Sequence, residues 1–477
     1  MRARRLSELV ELMQPAPVEV LGDDAVVGPD VVLDNRHVTP GALFVAIPGE
    51  RVDGHDFAPD AAQAGAAAVL GTRLTEASLP HLLVEESVSG LSWLARGIVR
   101  EARAGGMRSL GVTGSSGKTS TKDLLAQVLE AEGPTVAPVG SQNNEIGVPL
   151  TACRVDDDTR FLVSEMGARG VGHIEWLTSL VGLDVGVVLN VGAAHVGEFG
   201  GVAQTARAKA EIISGLTADG WAVLNADSPA CRDMASLTSA RLAWFGEGGL
   251  PRGEMQVFAR DVACNESSQP RFTLMARRGE MEEQAPVELQ VIGRHQVSNA
   301  LAAAAAALAV GMDIATVAER LSAAQPRSSW RMELMRLRED RLVLNDAYNA
   351  NPESMAAALR TASELAMVQR QRHPGARLIA VLGDMLELGS MTTAHHTAMG
   401  RLAADLEVDE LLAVGEHAPV LAAAAVEAGT RARVATREEA AELRLEAGDV
   451  LLVKGSRGIG LEQVAAAVAE NVGEEQS

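Results

Sequence analysis

The chain has 477 residues, 47% hydrophobic and 22% charged, with 63 acidic side chains against 42 basic ones and a formal charge of −21. That length exceeds what one hydrophobic core supports, so two or three domains are expected, with cores that are mostly aliphatic because aromatics make up only 3%. The acidity argues against nucleic acid and anionic membrane surfaces as partners, so an anionic substrate must be met by local cations and metal ions.

Cys153, Cys231 and Cys264 are far apart, share no metal-ligand spacing and suggest no disulfide, which points to a reducing cytoplasm. The basic start, MRARRLSELVEL, lacks the apolar region of a secretion signal and reads as a surface helix. The alanine run at 302–309 is too short to span a bilayer, so no membrane insertion is expected.

Residues 1–107 alternate apolar runs (31–33, 42–47, 66–70) with turns and helical stretches (58–64, 91–104), and Gly105-Gly106 closes the section like a hinge. A small mixed α/β domain is expected. Asp34-Asn35-Arg36 after a strand, and the loop 49–55 with Asp53, Gly54 and His55, are polar without an evident folding role. Taken alone they read as surface turns.

From 108 to 325 the pattern becomes strand, helix, strand, helix, which implies a mostly parallel sheet covered on both faces. Its first unit is the most telling stretch of the chain. An apolar run at 110–113 breaks at Gly114-Ser115-Ser116-Gly117 and restarts at Lys118 with helical periodicity. Strand, glycine turn and helix start direct backbone N–H groups toward one anion; Lys118 adds charge, and the Thr119 hydroxyl, followed by Ser120, is placed for Mg²⁺. The usual phosphate-loop pattern has glycine where Val112 stands, so the match is imperfect, and a small-residue turn with Lys118 solvated is the alternative.

In such sheets ligands gather at the carboxyl ends of strands. The strand 161–164 delivers Glu165; the strand 185–189 delivers Asn190 and His195; and 221–225 leads to Asp227. Glu165 and His195 are candidate metal ligands. Lys209 lies in an otherwise small and apolar helix, and a free ammonium there would repel Mg²⁺. The amide-rich turn 140–149, with Asn143, suits either phosphate or helix capping. A charge-mixed section at 250–286 reads as hairpins, and His295 and Asn299 open an alanine-rich helix, His295 by itself reading as a helix cap.

At 326–477 βα units restart: strands at 342–345, 378–382, 411–414, 433–435 and 450–453, with Asp346 and Lys454 at strand ends. A doubly wound, Rossmann-like third domain without G-x-G-x-x-G is expected. From the residues alone this is an α/β, three-domain, Mg²⁺-dependent ATPase with an unidentified acceptor.

GSSGKTS (114–120), NNEIGVP (143–149), SEMGA (164–168), LNVGAAH (189–195), ARAKAEI (206–212), GRHQVSNALAA (293–303), DAYNANP (346–352), LGDMLELG (382–389) and KGSRG (454–458), in that order, resemble the Mur ligase family across all three domains. Within it, DAYNANPESM and LGDMLELG resemble the branch that adds D-alanyl-D-alanine. The resemblance implies that ATP phosphorylates the terminal carboxylate of a UDP-N-acetylmuramoyl tripeptide and that the dipeptide amine displaces phosphate. It implies that Lys118 and the backbone of 114–119 hold the phosphates, that Thr119 and Glu165 bind one Mg²⁺, and that Glu165, His195 and Lys209, the lysine carbamylated, bind a second. His295 and Asn299 would lie at the adenine, and Arg331 and Asp346 would reach over from the third domain, which would also bind the acceptor and close on ATP. Asp34, Asn35, Arg36, Asp53, Gly54 and His55 would hold the uridine diphosphate.

Asn35 stands where the family commonly has serine, and Trp330 where it usually has the glycine before Arg331. A monomer in the cytoplasm is expected. Competing readings are a sister ligase adding a single amino acid, although the D-N-P-R string of the diaminopimelate adder is absent, a folylpolyglutamate synthase-like ligase, and a non-catalytic nucleotide-binding protein.

Overall fold

A computed structural model describes residues 1–192 and 201–473. The chain forms three principal sheets, of five, nine and six strands, in sequence order. The first runs Glu19–Leu21, His81–Leu83, Ala68–Gly71, Leu43–Val45, Val31–Val32, parallel except at its first pair. The amino-terminal helix Leu6–Met13 lies at the surface, as expected, with Ser7, Glu8 and Glu11 exposed, but it has one face in the core. Leu6, Leu9 and Met13 are fully buried and the helix lies on Ser87–Ala104. Spacing of three and four residues gathers those side chains on one face while the charges take the other.

The central sheet orders its strands Met281–Glu288, Pro270–Arg278, Met255–Cys264, Arg241–Gly246, Trp221–Asn225, Val185–Val188, Arg108–Thr113, Phe161–Glu165, Thr135–Val136. Pairing is parallel from Met255–Cys264 to the far edge and antiparallel in the two hairpin pairs. Strands such as 185–188 read as unbroken apolar runs because both faces are covered. The section expected to be hairpins alone thus also supplies a parallel strand, and Arg241–Gly246, which the sequence reading did not mark, joins it to the rest.

Two helices lie together on one face of this sheet. Lys118–Leu129 follows the glycine turn, and the alanine-rich Gln296–Ala309 packs against it, with Ala300 through Ala307 completely buried. A fully buried Leu301 among those alanines contributes about 1.5–3 kcal/mol by area alone.

The third sheet runs Glu333–Leu337, Arg341–Asn345, Val450–Lys454, Leu378–Gly383, Glu410–Val414, Arg431–Val434, parallel after an antiparallel first pair. Helices cover both its faces, giving two separate apolar layers. No helix among the described residues is long and apolar enough to cross a membrane.

Candidate active site

A cavity of about 700 Å³ opens between the carboxyl ends of the central and third sheets. Ser115, Ser116, Gly117, Lys118, Thr119, Ser120, Asn143, Glu165, His295, Asn299, Arg331 and Asp346 all line it. Gly114 sits behind the wall and Lys209 is buried beneath it, while His195 lies outside the described residues.

The glycine turn is braced from within. Asn190 Oδ1 accepts from the backbone N–H groups of Ser115 and Ser116 at 2.9 and 3.0 Å, and its amide donates to the Ser116 carbonyl. Those two N–H groups therefore shape the loop, which leaves the first-turn N–H groups from Lys118 onward to face an anion. Gly117 has φ 81°, and a Cβ there would stand 2.4 Å from Asn299 Oδ1, so both conformation and space require glycine. Lys118 Nζ donates to the Gly114 carbonyl at 2.8 Å. Burial lowers its pKa, opposed by Glu165 and reinforced by Arg331.

Glu165 is completely buried. Its Oε1 accepts from Ser141 Oγ at 2.5 Å and Asn143 Nδ2 at 2.8 Å, while Oε2 has no hydrogen-bond partner among the described residues. A buried carboxylate oxygen without a donor is costly unless a cation serves it. With the buried Thr119 hydroxyl beside it in the wall, this donor set fits a hard divalent cation. Lys209, on the helix Val202–Ser214, is 2% exposed, and burial first, then the nearby Lys118 charge, pushes its pKa well below the ordinary lysine value.

The opposite wall comes from the third sheet. Asp346 Oδ1 accepts from Met332 N at 3.0 Å and Oδ2 accepts from Lys454 Nζ, which also donates to the Asn349 carbonyl at 2.9 Å. Asp346 thus anchors the strand-end loop with both oxygens engaged. Burial lowers the Lys454 pKa against the pull of Asp346. The Arg331 guanidinium lies 4.1 Å over the ring of Tyr348, and its Nε has no partner among the described residues. Trp330 has φ 58°, the conformation glycine takes freely, at a cost of about 1–2 kcal/mol for an L-residue. Arg457 covers its ring at 4.2 Å. His295 faces Asp346 and Lys454; burial lowers its pKa to about 4, so the ring is neutral near pH 7.

The first-sheet residues do not line this cavity. The two turns Asn35–His37 and Gly54–Phe57 both pack on the helix Ala58–Gln63. Asp34 accepts from the backbone and guanidinium of exposed Arg36, which holds its carboxyl below the usual range. His55 is buried, its Nδ1 toward Asp53 Oδ1 at 2.6 Å and its Nε2 accepting from Thr72 N at 2.9 Å, so both ring nitrogens are engaged internally. The backbone N–H and ring of His55, with Arg73, bring the Asp53 pKa to about 2. Gly54 is forced by contact, since a Cβ would meet the Ile47 backbone at 2.7 Å.

The sequence reading left Ser141, Asn190, Asn351 and Lys454 without a site role. Asn190 and Lys454 stand just past or at strand ends, the one signal available for them. Asn351 was recognisable only as a helix cap, and Ser141 only as part of an amide-rich turn.

Family models match in sequence order: the Mur ligase family, catalytic domain at residues 30–93, the Mur ligase middle domain at 112–307, and the Mur ligase, glutamate ligase domain at 330–457. The chain is 40% identical to the UDP-N-acetylmuramoyl-tripeptide--D-alanyl-D-alanine ligase of Mycobacterium bovis, with 97% of each chain covered. It is 35% identical to the Escherichia coli protein of the same name over 98% of each. Among solved structures it resembles MurF from Acinetobacter baumannii (TM-score 0.82, 29% identity, 98% and 99% covered). It also resembles the MurF ligase of Thermotoga maritima in complex with ADP (TM-score 0.75, 27% identity, 93% and 97% covered). On these matches and this architecture, the chain belongs to the Mur ligase family.

Proposed function

We propose that the chain is an ATP-dependent ligase that joins D-alanyl-D-alanine to the terminal carboxylate of a UDP-N-acetylmuramoyl tripeptide, giving the pentapeptide precursor of peptidoglycan. The observation that carries this reading is the cavity itself: a phosphate loop on one wall, a buried carboxylate oxygen beside it with no partner among the described residues, and cations of a second sheet on the other wall. Full-length similarity to ligases named for that reaction supports the choice of substrates.

In this reading the peptide carboxylate oxygen attacks the γ-phosphorus and ADP leaves. The deprotonated amine of the dipeptide then attacks the acyl carbon, and the C–O bond to phosphate breaks as the amide forms. Phosphorylation is needed because a carboxylate oxygen is a poor leaving group. The first-turn N–H groups from Lys118 and the Lys118 ammonium orient the outer phosphates, and Arg331 meets charge spreading over the transferring group. Asn190 keeps the loop in shape and Asn299 meets it at Gly117. Neutral His295 lies at the base end of the nucleotide. Thr119 and Glu165 would hold Mg²⁺, with carbamylated Lys209 and His195 as further ligands; when bound, the ion neutralises phosphoryl oxygens.

The domains 1–107, 108–325 and 326–477 are assigned to the UDP end of the substrate, ATP, and the acceptor, the last also closing on ATP. Asp34, Asn35, Arg36, Asp53, Gly54 and His55 serve the uridine diphosphate, His55 by fixing the loop rather than by offering a free nitrogen. We assign the protein to the cytoplasm as a monomer. Phosphate release with ATP and Mg²⁺ that requires both the UDP-tripeptide and D-alanyl-D-alanine, with the pentapeptide identified by mass spectrometry, tests the proposal. Equal turnover with single amino acids would overturn it.

A further inference from the structure

Lys122 and Asp123, on the helix Lys118–Leu129, are 1% and 9% exposed and have no part in the chemistry above. Lys122 Nζ donates to Asp123 Oδ1 and, at 2.8 Å, to the Pro138 carbonyl. Pro138 leads into the turn whose Ser141 and Asn143 bracket Glu165. The second oxygen of Asp123 accepts from Ser328 Oγ at 2.6 Å. Ser328 stands shortly before Arg331. The same helix face continues the contact. Gln127 and Gln325 exchange side-chain and backbone hydrogen bonds at 3.0 Å, and Arg327 forks onto Glu130 with both distances 2.7 Å.

Past Ser328 the partners change. Trp330 N donates to Glu333 Oε2 at 3.1 Å, Met332 N to Asp346 at 3.0 Å, and Tyr348 N to the Trp330 carbonyl at 3.2 Å, all within the third-sheet unit. Trp330 and Met332 both have positive φ, 58° and 50°. The linker is thus held by the phosphate-loop helix up to Ser328 and by the third sheet from Trp330 on.

We propose that the Lys122–Asp123 pair is a positioning device: it fixes to the phosphate-loop helix both the turn that brackets Glu165 and the linker that delivers Arg331, and leaves the chain to pivot at Ser329. The role given to Arg331 rests on the ligase reading; the clamp and pivot do not. A buried ion pair replaced as a unit leaves no unpaired charge, whereas loss of one partner does, so the pair and the linker hydroxyl are tested separately.

Ser328→Ala removes one hydroxyl, Gln127→Ala both bonds to Gln325, and Lys122→Met/Asp123→Asn the charges together. In the nucleotide-free protein, amide hydrogen exchange across 325–333 is expected to rise several-fold in each variant; unchanged exchange overturns the clamp. In turnover, Ser328→Ala is expected to lower kcat by roughly tenfold with little change in the KM for the UDP-peptide. Ser328→Ala/Arg331→Ala should be no slower than Arg331→Ala alone, because both changes disable one element. Multiplicative losses would overturn the link to Arg331. A wild-type protein that consumes no ATP with either peptide substrate defeats the ligase reading, and the exchange experiment still decides the clamp.

Discussion

The side-chain amide of Asn351 donates to the backbone carbonyl of Ser115, 3.2 Å away and buried, so a residue of the third-sheet unit is bonded directly to the phosphate loop. The same Asn351 caps the helix Pro352–Arg372, its Oδ1 accepting from Ser354 N at 2.9 Å. One side chain thus fixes a helix start and ties two units across the cavity.

These two tasks separate by substitution. Asn351→Ser keeps a capping oxygen but loses the reach, so thermal unfolding should shift little while the KM for ATP rises. Asn351→Ala loses both and should cost about 1 kcal/mol of stability in addition. Denaturation midpoints and ATP titrations of both variants check this; equal melting losses would show that the cap is not what the serine restores.

Glu165 combines complete burial with an Oε2 that has no hydrogen-bond partner among the described residues, a cost that a cation relieves. Glu165→Gln should therefore leave the nucleotide-free protein at least as stable as the wild type, yet abolish the rise in melting temperature produced by ATP with Mg²⁺. Differential scanning calorimetry with and without chelator measures both effects. A variant that still gains stability from Mg²⁺-ATP would remove Glu165 from the metal site.

Lys209 is buried under the phosphate loop, where an ammonium would sit close to the Lys118 charge. Lys209→Ala is expected to lose nearly all activity, and a short carboxylic acid should restore part of it by supplying the missing carboxylate. A carbamate carbon resonance from ¹³C-labelled bicarbonate, absent in the variant, is the direct observation. Its absence from active wild-type protein would refute carbamylation.

His295 gives a pH signature. Its folded pKa of about 4 lies below the ordinary 6.5, so between those values the unfolded chain binds a proton that the folded chain does not. Stability therefore rises with pH across this window and is progressively lost as pH falls from 6.5 toward 4. The total is at most about 3 kcal/mol. His295→Gln should flatten that part of the stability profile, measured by urea unfolding at several pH values.

Much of this is legible in the sequence, and the reasons are local. Strands buried on both faces carry unbroken apolar runs, and the glycine turn before Lys118 announces itself by the switch from strand to helical periodicity. What stayed hidden depends on contacts between distant segments. The amphipathic pattern of the amino-terminal helix does not say which element its buried Leu6, Leu9 and Met13 meet, and that element, the helix Ser87–Ala104, is about eighty residues away. Arg241–Gly246 was passed over, although it carries the sheet on to the next parallel strand. The internal engagement of both His55 nitrogens needed Thr72, seventeen residues away, to be seen. Trp330 looks like a departure in sequence because side chains are what a sequence records; its φ of 58° lies in the region glycine adopts freely.

The helix Gln296–Ala309 begins beside His295, carries Asn299 against Gly117, and lies on the phosphate-loop helix along a flank made almost wholly of alanine. Alanine has no rotamers, so on its side of the contact the separation of the two helix axes is not adjusted by side-chain repacking. The span from His295 to the phosphate loop is consequently set by how closely that alanine flank seats on the buried Leu124, Leu125 and Val128 layer of the facing helix. With His295 at the base end, as proposed, a nucleotide of longer or shorter reach between base and phosphates would have to displace a helix rather than turn a side chain.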